Sequence, residues 1–167
     1  MALRFSPERR IRFALSFFMA ALVVSGLTAI PLKFEIVLIE RFFYGPGAFL
    51  VSMVPGLGEW IERVAHAIRT TLHDFPFLAY GTDWLAFGHI GLAVMFIGPL
   101  RDPVKNIWVI EAGMVVCVLL IPWALVFGPL RGIPFFWTLV DMSFGVFGLV
   151  PLYIARKAAL ELAAEGE

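Results

Sequence analysis

Four ionisable residues stand inside long apolar stretches: Asp83, His89, Glu111 and Asp141. A charge at the centre of a bilayer costs at least about 2.5–3.5 kcal/mol, so each needs a partner or a task. Asp83 and His89 share the segment DWLAFGHIGLAVMF, and apart from Arg12 and Lys105 at their inner ends the apolar stretches hold no lysine or arginine. The expectation is that some of the carboxylates hold a proton, or His89 does, or a cation binds. Such a cluster suits a proton relay, a cation site or the polar end of a ligand pocket. Trp84 and Trp137 neighbour it in sequence and complete the set of ligand- or proton-binding candidates. No catalytic residue and no metal ligand is assigned, and the cofactor is unknown.

Each candidate has a plainer structural role. His89 can hydrogen-bond a carbonyl or hydroxyl across helices, and Asp141, near Thr138 and Ser143, can tie helices together. Glu111 can bridge to Lys105 or Arg12, and Asp83 can cap a helix. His66 and His73 are seven residues apart, about 10 Å along a helix, too far to share one metal ion. No CxxC, HExxH, GxSxG, phosphate-binding loop or dinucleotide fingerprint occurs. Haem b between spans takes a histidine pair, and only His89 qualifies. That argues against a dihaem protein, while a haem with an unusual or partner-supplied second ligand stays open.

The elements that position these residues are apolar helices. Of the 167 residues, 60% are hydrophobic and 16% charged, with mean hydropathy +0.89. One soluble core could not hide that much apolar surface. Stretches at about 11–31, 82–98, 103–127 and 134–154 each approach the roughly 17–25 residues a spanning helix takes. The first is preceded by arginines, but its apolar part is too long for a secretory leader, so we expect it to be retained. Thr82 or Asp83 is expected to cap the second span, Asp102 to cap the third with Pro103 in its first turn, and Pro134 to open the fourth. Pro122 is expected to kink the third.

Placing both termini inside puts Arg4, Arg9, Arg10, Arg12, Arg101, Lys105, Arg156 and Lys157 on the inner side. Lys33, Arg41, Arg63, Arg69 and Arg131 then lie outside. This excess of inner cations favours cytoplasmic termini. In that arrangement His89 and Asp141 each lie roughly 10 Å below the outer end of their helix, and Glu111 about 12 Å from the inner end. The three therefore fall within about 8 Å of one height in a hydrocarbon core of about 30 Å.

Residues 32–81 form an outer segment too apolar for a plain loop. GLGEWIERVAHAIRTTLHDF, 56–75, places Leu57, Trp60, Ile61, Val64, Ile68 and Leu72 on one face and Glu59, Glu62, Arg63, His66, Arg69 and His73 on the other. That is the pattern of a helix lying on a membrane surface or capping the bundle. FFYGPGAFLVSMVPG before it reads as an irregular or re-entrant connection near the interface. Gly88 with Gly91, and Gly145 with Gly148, offer small faces for helix packing. Trp84, Trp108, Trp123 and Trp137 sit near span ends, as interface anchors do. The single Cys117 excludes an internal disulfide, and the zero net charge offers no field for nucleic acid.

YGTDWLAFGHIGLAVMFIGPLRDPVKNIWVIE, with RGIPFFWTLVDMSFGVFGLVPLY, resembles a group of small uncharacterised bacterial four-span inner-membrane proteins. The resemblance covers about 76–153 best and implies location, with no activity to transfer.

The expected fold is therefore all-α, a four-transmembrane-helix bundle with an amphipathic interfacial helix, in one integral domain over 1–167 with a short helical cytoplasmic tail at 155–167. The expected function is a membrane binding or accessory protein, in a homo-oligomer or larger complex within the lipid bilayer. The alternatives are an enzyme with a His/carboxylate acid–base pair acting on a lipid-soluble substrate, and a scaffold without a site.

Overall fold

The computed structural model describes residues 6–165. Arg4, counted above on the inner side, lies outside them, as do the last two residues of the tail. The described residues are 86% helical and contain no strand. In chain order the helices are α1 (Pro7–Thr28), α2 (Leu32–Phe43), α3 (Ala48–Met53), α4 (Leu57–Asp74), α5 (Tyr80–Met95), α6 (Ile97–Arg101), α7 (Ile107–Leu130) and α8 (Phe135–Glu165). A 3-10 turn, Pro76–Ala79, leads into α5. Four segments are long and apolar enough to cross a membrane: Pro7–Thr28, Pro76–Arg101, Ile107–Leu130 and Phe135–Glu165. No more than 28% of any of their apolar windows is buried, so most of this apolar surface faces outward and requires hydrocarbon around it.

Packing divides what the sequence presents as one domain into two compact units, Met1–Leu22 with Gly91–Glu167, and Val23–Ile90. The first unit is organised by the α7–α8 hairpin. Gly132 takes φ +70, the left-handed conformation that glycine adopts at no steric cost. Ile133 then donates its N–H to the Gly128 carbonyl at 3.0 Å, and Gly132 donates to Pro129 at 3.0 Å. These two bonds satisfy carbonyls that the end of α7 leaves open. Along α8, Thr138, Asp141, Gly145, Gly148, Leu152, Ala155, Ala159 and Leu162 alternate at three- and four-residue spacing. That period forms one straight seam, and its small residues let α7 come close. A Cβ on Gly128 would meet the Thr138 hydroxyl at 2.7 Å, and one on Gly113 would meet Leu152 at 3.1 Å. Gly145 and Gly148 both lie against Cys117, and Phe18 of α1 packs edge-on to Phe96 with ring centroids 4.9 Å apart.

Two helix starts differ from expectation. RDPVKN is a turn, not the start of α7: the Asp102 carboxylate accepts the Lys105 N–H at 3.1 Å, and the helix starts at Ile107. Thr82 and Asp83 do not cap the second span, because helical backbone already begins at Pro76 and the Thr82 hydroxyl turns back to the Ala79 carbonyl at 2.7 Å. The tail expected to extend as a helix beyond 154 does so without a break. Pro151 removes only one internal bond, and ARKAALELAA is made of good helix formers, so α8 runs to Glu165.

In the second unit α2 and α4 pack together, burying Ile36 and Leu57, Ile61 and Ala65. Arg69 pairs with Glu40, and the Tyr44 hydroxyl donates to Glu62 at 3.0 Å. Helix α4 matches the amphipathic stretch within a residue at each end, whereas α2 was not expected. Burial holds the Glu35 carboxyl on α2 above its ordinary value. A raised carboxyl costs stability above its folded pKa, and the cost fades as pH falls through that value. Glu35→Gln should therefore raise the thermal midpoint at neutral pH, with the gain gone below the ordinary value of 4.5. A gain that persists in acid would show that the effect is not ionisation.

Candidate intramembrane polar site

Each candidate is placed within its own unit, and α5 carries two of them. Asp83 is exposed in the first turn of α5. His89 lies six residues on, about 9 Å along the axis and about 120° around it, so the two side chains leave the helix on different faces. Helix α1 meets α5 at His89: a Cβ on Gly26 would stand 2.8 Å from the His89 Cβ and 3.0 Å from the Ala86 carbonyl. The His89 Nδ1 lies 2.9 Å from the Leu85 carbonyl, one turn back on its own helix. A carbonyl can only accept, so Nδ1 carries the proton, and in the neutral ring Nε2 keeps its lone pair. Trp84 is exposed and packs edge-on between Tyr80 and Phe87, with centroids at 5.9 and 5.6 Å.

In the first unit Glu111 accepts from Arg156 Nε at 2.8 Å. The partner is neither Lys105 nor Arg12. It comes from the stretch of α8 beyond the expected end of the fourth span, so a cation does neutralise one of the three acids. Both side chains are more than a third exposed, at 44% and 37%. A double-mutant cycle with Glu111→Gln and Arg156→Gln should give a coupling of about 0.5–1 kcal/mol. Strict additivity would remove the pair from any account of how α7 and α8 stay in register.

Asp141 is half-buried on α8 and has no hydrogen bond or ion pair among the described residues. It occupies the seam between Thr138, which packs on Gly128, and Gly145, which packs on Cys117. The nearby hydroxyls do not reach across helices. Ser143 donates to the Val140 carbonyl at 2.6 Å and Thr138 to Pro134 at 3.4 Å, both within or at the start of α8. Trp137 is half-buried one residue before Thr138. No group of three or more His, Cys, Asp or Glu capable of holding a metal ion occurs among the described residues.

Gly145 and Gly148 therefore serve the packing expected of them, whereas a Cβ at Gly88 or Gly91 would meet open space. The sequence reading missed Arg156 as a partner and Gly26 as the neighbour of His89. The alternating spacing of small residues from Thr138 to Ala159 was the available signal for the seam.

No protein family, no curated protein and no solved structure matches the chain. Function must be argued from these residues alone.

Proposed function

We propose that the chain is a binding or accessory protein of the bacterial inner membrane, with both termini cytoplasmic, in which Asp141 holds a proton or a small cation against the α7–α8 seam. It acts as a homo-oligomer or as a subunit of a larger membrane complex. The α2–α4 pair lies on the outer membrane surface in this arrangement, with α4 as the interfacial helix. One observation carries the reading: Asp141 stands in register on the α7-facing seam without an ion-pair partner among the described residues, while Arg156, which reaches across that seam, is taken by Glu111. A bare carboxylate at that depth costs too much to be retained without a proton or a counter-ion. Short connections such as Asp102–Asn106 leave no room for a separate catalytic domain, which favours binding over turnover.

Infrared spectroscopy of the protein in lipid tests this directly. Wild type should show a protonated-carboxyl band at neutral pH, or a carboxylate band that shifts when a cation is added, and Asp141→Asn should lack it. Identical spectra from the two proteins would make Asp141 inert and leave a scaffold. A second reading, an enzyme with His89 as general base, is favoured by the Nδ1 contact to Leu85, which leaves Nε2 basic.

A further inference from the structure

A groove of about 620 Å³ runs between α1 and α8 in the first unit. Ala14 and Pro151 are buried and form its floor. Phe13 and Phe17 make one wall and Val150 and Ile154 the other, and the lining is almost wholly apolar. These four wall residues are exposed, so the groove opens sideways, away from the helices that form it. Arg9 and Arg10 close one end. Arg9, Phe13 and Phe17 follow one another at four-residue spacing and so form a single stripe along α1, cationic at its head and aromatic below.

We propose that this groove binds an anionic phospholipid, with one acyl chain between the Phe13–Phe17 and Val150–Ile154 walls and the phosphate at Arg9 and Arg10. Its volume falls in the range of about 300–1,000 Å³ typical of ligand sites. The charge at the mouth sets the ligand class. Arg10 is joined to Glu161 at 2.5 Å, which anchors α1 to α8 there and offsets one positive charge. Arg9 is a second guanidinium at the same end, and Lys157, three residues past Ile154, adds an exposed ammonium from α8. Cations at the end of a hydrocarbon slot complement a phosphodiester joined to an acyl chain. A zwitterionic headgroup gains less, because its own ammonium meets the same cations. Guanidinium also suits phosphate geometry through paired N–H donors.

Native mass spectrometry of the delipidated full chain, titrated with phosphatidylglycerol or phosphatidylcholine, tests the assignment. Wild type should retain one phosphatidylglycerol per chain in preference to phosphatidylcholine, and inorganic phosphate should not displace it. Arg9→Gln should weaken the anionic lipid about fivefold, and Arg9→Lys should restore most of that loss. Val150→Trp fills the slot from an exposed wall, so the fold is kept and both lipids should be lost. Equal phosphatidylglycerol retention by wild type, R9Q and V150W would overturn the proposal. So would displacement by inorganic phosphate, which would make the site a simple anion site. A wild-type dimer that excludes lipid and that V150W dissociates would give the groove to a second copy of the chain.

Discussion

Replacing Gly145 by leucine is expected to force α7 and α8 apart and to lower the thermal midpoint by about 6–12 °C, the effect of about 3 kcal/mol in a chain of this size. Any Cβ at this position falls on the Cys117 carbonyl oxygen, closer than real Cβ atoms come to such a group. The colliding atom is backbone, so no rotamer change relieves it. Gly145→Ala should therefore already be destabilising, in the same direction and by less. The lipid environment does not soften the effect. Between spanning helices no hydrophobic term drives association, so close approach of small faces supplies much of the attraction that a leucine abolishes. Gly88→Ala is the matched control. A Cβ there meets nothing within 4 Å, and alanine should gain about 0.5–1 kcal/mol from backbone entropy. Midpoints measured in the same detergent should fall for G145L and hold or rise for G88A. If the two variants behave alike, the seam does not hold the hairpin together.

The second large effect is expected at Gly26, where leucine should cost about 1–3 kcal/mol by driving the end of α1 off α5. The clash is with the His89 Cβ at 2.8 Å and the Ala86 carbonyl at 3.0 Å, not with the imidazole ring. This makes a sharp distinction possible. His89→Ala keeps the Cβ and should not rescue Gly26→Leu, whereas His89→Gly removes the Cβ and should restore part of the loss. Nitrogen chemical shifts of the His89 ring give a second readout. They should change in G26L if α1 fixes the orientation that joins Nδ1 to Leu85. Unchanged shifts in a destabilised G26L protein would mean that α5 alone holds the ring.

The spans were legible because apolar length is a local property. The second and third stretches each lie within a few residues of a helix seen in the structure, and residues 56–75 gave α4 from its period alone. What failed were features that depend on neighbours distant in sequence. Arg156 looked like a residue of a helical cytoplasmic tail, beyond the reach of the spans. Only a continuous α8, folded back on α7, brings its guanidinium to Glu111. Asp102-Pro103 has the composition of a helix start, yet Asn106 ties the turn shut by donating to the Asp102 carbonyl at 2.9 Å, and α7 begins after it. Helix α2 was missed because its pattern is short and its two decisive contacts, Glu40 to Arg69 and Glu62 to Tyr44, come from α4. For the candidate residues, sequence gave the chemical types. The structure added what each one touches, and that separated Glu111, already paired, from Asp141.

The Glu111–Arg156 pair also has a meaning for hydrophobic mismatch. Helix α8 contains no acidic or basic residue other than Asp141 between Phe135 and Ala155, and that apolar length is about 31 Å at 1.5 Å per residue. It equals the hydrocarbon thickness of an average bilayer, about 30 Å. Arg156 follows immediately, held by Glu111, and α8 continues past it to Glu165. A thicker bilayer would draw this pair into hydrocarbon, whereas a thinner one would be met by tilting the hairpin, the milder response. The pair thus works as a waterline for the hairpin, setting how deep it floats and which membranes suit it.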